Sequence, residues 1–277
     1  MSKLEKVSAN QVSTGTLTKY SFQSTSLSLK TPFNLFVPTS ASSSSPVPVL
    51  FYLAGLSCNE DTGCQKGGFL TTAGELGLAM VCPDTSPRGA GIQGEDEDDD
   101  LGTGAGFYLN ATSDKWKKHY NMYDLIIKEI PDVLQEAKLG LDWSRVSIMG
   151  HSMGGHGALS LYLQNTQFFN NPSVSPWGVK AFNNYLEPAK EGSPPPTSWL
   201  ENDSSHILSS TQAAAGSLHI LVDIGTADRF VAAGQIESKA LEKAAEASGR
   251  ATGEVEVRMQ EGFDHSYFFV SESSWSR

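Results

Sequence analysis

The chain has 277 residues, 39% of them hydrophobic, and a net charge of −11 at pH 7, enough apolar material for one large α/β domain over residues 1–277. The acidic balance excludes the basic face that phosphate binding requires, so no nucleic-acid partner is expected. Three cysteines, Cys58, Cys64 and Cys82, are too few and odd in number for a disulfide framework, which points to a reducing compartment. The N-terminal Met1 to Lys6 has no apolar signal core and no run reaches membrane-spanning length, so a cytoplasmic location without membrane attachment is expected.

In chain order, Thr16 to Leu29 and Phe33 to Val37 read as β segments, followed by a Ser-rich loop at Ser40 to Ser45. Pro48 to Leu53 and Leu78 to Pro83 are short apolar runs bounded by Gly or Pro, the pattern of parallel strands covered on both faces. Gly68 to Leu76 between them suits a helix. Asn121 to Ala137 carries Met122, Leu125, Ile126, Ile130, Val133 and Leu134 at helical spacing, with Pro131 as an expected kink. Strand Val146 to Met149, helix Gly155 to Gln164, strand Leu218 to Ile224, helix Ala232 to Ser248 and strand Val255 to Met259 complete the alternation. Such a pattern predicts a mostly parallel sheet with helices on both faces.

Gly150-His151-Ser152-Met153-Gly154 joins an apolar strand to a helix. A serine hydroxyl is a weak nucleophile, and this turn holds it clear of the backbone where a base can reach it. In this architecture the acid and then the histidine follow in later loops. Asp228, just beyond the strand ending near Ile224, and His265, in Gly262-Phe263-Asp264-His265-Ser266, meet that order. Two backbone donors should face the developing oxyanion. The Met153 amide is one, and the Leu56 amide, in the loop after strand Val49 to Leu53, is the other.

The remaining candidates divide by position. His219 reads as a core histidine within a buried strand, while His151 and His156 read as walls of the site; Asp223 and Asp264 read as structural. No metal-ligand spacing occurs, and neither metal nor cofactor is expected. Cys58 lies close to the Leu56 loop, either as a thiol open to reagents or as a small buried filler. The acidic run Glu95 to Asp100 reads as a solvated loop without the EF-hand pattern.

Leu53 to Asn59, Pro83 to Gly89, Gly94 to Glu97, Gly102 to Tyr108, Gly150 to Gly157, Pro176-Trp177-Gly178 and Gln260 to Tyr267 together resemble the S-formylglutathione hydrolases, the esterase D family of the α/β-hydrolase fold. The resemblance implies a cofactor-free cytosolic thioesterase that releases formate and glutathione in formaldehyde detoxification, with side activity on small esters. It implies Ser152, Asp228 and His265 as the catalytic triad, and it suggests a homodimer. An anionic glutathione conjugate needs local cations, for which Arg88 and Lys180 stand in family-like loops, with surface ion pairs as the plainer reading of both. Trp177 joins them and Cys58 as a substrate-binding candidate.

Two departures from the family pattern stand out. The family has a buried strand with a Ser-Ala-Phe-Ala-Pro type of run between the nucleophile helix and the Pro-Trp-Gly loop, whereas Phe168-Phe169 here passes directly into Asn170-Asn171-Pro172. Closing that gap would shift the acid by one interstrand step of about 4.8 Å, where catalytic geometry tolerates about 0.5 Å. Leaving it open would strand two sheet edges. A closing C-terminal helix is also expected to be missing after Phe268-Phe269-Val270, and the two losses together suggest an alternatively spliced or imperfectly delimited product. Three outcomes follow: an S-formylglutathione hydrolase, a general short-chain carboxylesterase, or an inactive remnant that binds a partner.

Overall fold

A computed structural model describes residues 3–166, 179–190, 193–211, 216–236, 238–250 and 253–273. The elements run β1 (Glu5–Val12), β2 (Gly15–Ser24), β3 (Leu29–Pro38), β4 (Val47–Leu53), α1 (Glu60–Lys66), α2 (Leu70–Glu75), β5 (Ala79–Pro83) and α3 (Met122–Asp124). A π-helical turn (Leu125–Glu129), α4 (Ile130–Ala137), β6 (Leu141–Gly150), α5 (Met153–Gln164), α6 (Val179–Tyr185), α7 (Thr197–Leu200) and α8 (Ser204–Ser210) follow. The chain continues through β7 (Ile220–Gly225), α9 (Arg229–Ala232), α10 (Ser238–Ala247), β8 (Val255–Gln260) and α11 (Tyr267–Ser273).

Six strands form a mixed sheet in the order β1-β2-β3-β5-β4-β6. Its first four strands pair antiparallel, whereas β5, β4 and β6 are parallel. All five residues of β5 are buried, which is why its sequence is a continuous apolar run. By contrast β1 is exposed along nearly its whole length, so no hydrophobic pattern announces it. Helices pack on both faces. On one, Val49, Phe51, Val81 and Ile148 meet Leu125, Ile130, Leu159 and Leu163; on the other, Tyr52, Met80 and Cys82 meet Phe69 and Val270.

Pro131 does not bend a continuous α-helix. It sits in the first turn of α4, where a missing N–H costs nothing. The preceding turn is widened instead, with the Ile130 amide reaching back to the Leu125 carbonyl. The expected helix from Ala232 to Ser248 starts later, as α10 at Ser238, while α9 ends at Ala232 and Gly234 lies beyond it at φ +66°.

Strands β7 and β8 form a separate parallel pair, and β6 is not their hydrogen-bonded neighbour. Among the described residues no strand lies between β6 and β7, so the flanking strands have not closed the expected gap; residues 167–178, which include Phe168 and Phe169, lie outside the described residues. The two sheets are joined through packing, since Ile220, Val222 and Ile224 belong to the same buried cluster as Leu159 and Leu163 of α5.

Two expectations are corrected. A terminal helix is present, α11, whose Phe269 and Val270 are buried while Phe268 stands 83% exposed. His219 precedes β7 and is exposed, not a core residue; its amide donates to the Tyr162 hydroxyl at 3.1 Å.

Candidate active site

Ser152 stands at the junction of β6 and α5 with φ 58° and ψ −123°, a strained conformation for a residue with a side chain. The glycines around it are dictated by backbone proximity. A Cβ on Gly150 would lie 2.1 Å from the Gly154 carbonyl oxygen, and one on Gly154 would lie 2.0 Å from that of Leu53. Gly157 lets the Tyr108 ring approach α5, and the Tyr108 hydroxyl donates to the Ala54 carbonyl at 2.8 Å. Thus the elbow and the loop after β4 are packed backbone to backbone.

That loop turns at Gly55 to Cys58, closed by the Cys58 amide on the Gly55 carbonyl at 3.3 Å. Ser57 takes φ +61°, and a Cβ on Gly55 would come within 3.1 Å of Ser152 Cβ. Neither the Leu56 nor the Met153 amide donates to another group among the described residues. Two unengaged amides therefore belong to the segments that flank Ser152, Met153 directly following it at the start of α5.

The carboxylate and imidazole arrive from the other sheet. Asp228 follows β7 and is 4% exposed; its Oδ1 accepts the Phe230 amide at 2.8 Å, capping α9, and its Oδ2 lies 2.6 Å from His265 Nδ1. An ionised carboxylate only accepts, so Nδ1 carries the proton and Nε2 presents a lone pair. The loops after β7 and β8 are stitched together. The Ala227 amide donates to the Phe263 carbonyl at 2.9 Å, and the Gly262 amide to Thr226 Oγ1 at 2.9 Å. Phe230 meets the His265 ring edge-on at 4.6 Å.

His265 Nε2 is buried and has no hydrogen-bond partner among the described residues, Ser152 included. The imidazole does reach the elbow, because its ring lies 4.7 Å from that of His151. Asp228 and His265 are thus held together as a pair whose ring faces the elbow. His151 Nε2 is also shut off from solvent without a partner among the described residues, and burial pushes that imidazole down to about 3, with the neighbouring His265 acting in the same direction and Asp228 opposing it.

Other candidates are placed differently from expectation. His156 is not a wall of the site: it is 4% exposed, packs between Phe107 and Phe182, and burial lowers it to about 4. Asp223 is structural as expected, gripped by Arg258 at 2.7 and 2.8 Å and by Gln260 at 2.6 Å. Arg88 is engaged internally, with Nε 2.7 Å from Asp84 Oδ2 and Nη2 2.8 Å from the Cys58 carbonyl. Lys180 pairs with Asp98 at 2.5 Å and Asp100 at 3.7 Å on the surface, so the ion-pair reading describes both cations. Within the acidic run, Glu95 is buried and accepts the Gly91 amide at 2.7 Å. Trp177 lies outside the described residues.

Cys58 is half-buried, with Sγ 3.8 Å from the Tyr267 hydroxyl. Tyr267, which residue-by-residue reading did not single out, packs on His151 at 5.4 Å and accepts a hydrogen bond from Tyr52 at 3.2 Å. Its place directly after His265-Ser266 was the available signal. No group of three or more His, Cys, Asp or Glu among the described residues is arranged to hold a metal, and no helix among them is long and apolar enough to cross a membrane.

The esterase family model matches residues 24–277. An S-formylglutathione hydrolase of Arabidopsis thaliana is 38% identical across 98% of this chain and 94% of its own, and one of Rattus norvegicus is 37% identical across 97% and 94%. The solved S-formylglutathione hydrolase of Agrobacterium tumefaciens superposes with a TM-score of 0.86 at 35% identity, covering 97% of this chain and 95% of that one. A ferulic acid esterase at 17% identity and TM-score 0.67 shares the fold. Both sequence and architecture therefore agree that this chain belongs to the esterase family, among the S-formylglutathione hydrolases of the α/β-hydrolase fold.

Proposed function

We propose that this chain hydrolyses S-formylglutathione to formate and glutathione through a formyl-enzyme on Ser152, with Ser152, Asp228 and His265 as its triad. The observation that carries the reading is the 2.6 Å contact between His265 Nδ1 and Asp228 Oδ2, which leaves Nε2 as a base beside the elbow. Ser152 Oγ attacks the formyl carbon while its proton passes to His265 Nε2. The Leu56 and Met153 amides receive the oxyanion. Collapse breaks the carbon–sulfur bond and returns the proton to the glutathione sulfur. Water then attacks the formyl ester by the same relay, releasing formate and restoring Ser152.

This role is formaldehyde detoxification, carried out in the cytoplasm without cofactor or nucleic acid by a single folded unit, assembled as a homodimer. The inactive remnant is the second reading, resting on the unengaged Nε2 of His265, since a base that does not bond Ser152 cannot activate it. Catalytic hydrogen bonds are often long in the free enzyme and tighten with substrate.

The experiment is turnover of S-formylglutathione and of 4-nitrophenyl acetate by the wild type beside Ser152→Ala, after circular dichroism shows both to be folded. Turnover of the thioester that the substitution abolishes supports the proposal. Turnover of the simple ester alone replaces it with a general carboxylesterase, and a folded wild type inert to both means the remnant.

A further inference from the structure

We propose that Arg88, oriented by the buried Asp84 carboxylate and acting with Thr85, positions the loop that carries the Leu56 amide by gripping the Cys58 carbonyl. The inference rests on the reading of Leu56 as an oxyanion donor and assigns Arg88 a task other than contact with substrate.

The Cys58 carbonyl oxygen accepts two side-chain hydrogen bonds, from Thr85 Oγ1 at 2.5 Å and from Arg88 Nη2 at 2.8 Å. Both donors are oriented by one carboxylate. Asp84 is 1% exposed; its Oδ1 accepts the Thr85 amide at 2.7 Å and Arg88 Nη2 at 3.0 Å, and its Oδ2 accepts Arg88 Nε at 2.7 Å. With two of its nitrogens on that carboxylate, the planar guanidinium has a fixed orientation, so Nη2 reaches the carbonyl in only one way. Burial pushes the Asp84 carboxyl up against the opposing pull of Arg88.

The opposite side of the loop is held as firmly. The Ser57 amide donates to the Gly104 carbonyl at 2.9 Å, and the Gly104 amide donates to Ser86 Oγ at 2.7 Å. Thr85 and Ser86 are consecutive residues just beyond β5, so this strand's end grips the loop from both sides. Between the grips, Ser57 occupies the left-handed region at φ +61°, where a serine remains only if its surroundings hold it. Leu56, next to Ser57, takes its amide direction from this constraint.

An ion pair with one partner exposed is weak support for stability, because solvent screens the attraction. Its value here is directional. An oxyanion donor acts only when aimed at where charge develops, and loss of one such donor costs about 100-fold in kcat.

The test compares Arg88→Lys, Thr85→Val and Thr85→Ser with the wild type on S-formylglutathione and 4-nitrophenyl acetate, together with hydrogen exchange of peptides spanning residues 55–58. Arg88→Lys and Thr85→Val should lower kcat about 10-fold or more on both substrates, with KM changed less than about two-fold, while Thr85→Ser retains activity. In Thr85→Val, which keeps the side-chain volume and spares the ion pair, peptides over 55–58 should exchange faster while those of β2 and β3 are unchanged. A rise in KM confined to S-formylglutathione would make Arg88 a substrate contact and overturn the proposal. Unchanged exchange over 55–58 would overturn it even in a chain that turns over neither substrate, which is the separate failure of the proposed function.

Discussion

His151 and His265 face each other with ring centroids 4.7 Å apart, across the seam between the sheet that carries the serine and the sheet that carries the acid. Two imidazoles at this separation cannot both be cationic in a buried site. Burial, with the neighbouring ring acting in the same direction, keeps His151 neutral, so in the proposed mechanism the relay's charge would fall on the other ring.

The same burial makes the fold acid-sensitive. His151 is held down at about 3 and His156 at about 4, from an ordinary value of 6.5. Below 6.5 the unfolded chain therefore binds protons that the folded chain refuses, and stability falls as pH drops until the folded values are passed. At pH 5 each ring costs about 2 kcal/mol. Urea titrations at pH 7.5 and 5.0 should show a loss near that sum, and His156→Gln should remove about half of the pH difference. Coincident curves for the wild type would refute it.

Asp228→Asn should lower kcat on the order of 10⁴-fold while leaving the fold intact, because the amide oxygen can still accept from the Phe230 amide and cap α9. Asp228→Ala should lose the same activity and in addition about 1 kcal/mol of stability. Equal melting temperatures for the two variants would show that the cap contributes nothing.

Gly154→Ala places a methyl group 2.0 Å from the Leu53 carbonyl oxygen. Backbone cannot yield as a side chain can, so β4 and the elbow must separate. Stability should fall by about 2 to 4 kcal/mol, and labelling of Ser152 by a fluorophosphonate should cease. Retention of wild-type labelling would mean that the elbow tolerates displacement.

Asp223 lies opposite Arg258 in register across β7 and β8 and accepts from both Arg258 and Gln260. Asp223→Ala leaves these partly buried donors without their acceptor and should cost about 1 to 3 kcal/mol. A two-stranded sheet is also the weaker body. Its amides should exchange faster than those of β3 and β5, as peptide-resolved mass spectrometry would show, and Asp223→Ala should widen that difference. Uniform protection across both sheets would contradict this.

The buried strands and the elbow were legible because their chemistry is local. β4 and β5 are apolar runs, and Gly150, Gly154 and Gly157 are imposed by contacts that the motif's spacing already implies. The order of Asp228 and His265 along the chain was enough to anticipate that the two side chains meet. Strand β1 was not legible, since exposure removes the pattern, and the start of α10 at Ser238 needed the backbone itself. Arg88 shows the limit most clearly. Its position in the sequence suggested a cation for an anionic substrate, but its partners, Asp84 and the Cys58 carbonyl, are brought to it by the fold.

With Ser152 on one sheet and Asp228 with His265 on another, a ligand that bonds the serine and hydrogen-bonds His265 Nε2 becomes a cross-brace between two halves whose strands share no backbone ladder among the described residues. Occupancy then does mechanical work on the protein. A transition-state mimic should raise the melting temperature more than its contacts with either half would, and the free chain should be the most fragile form in the catalytic cycle.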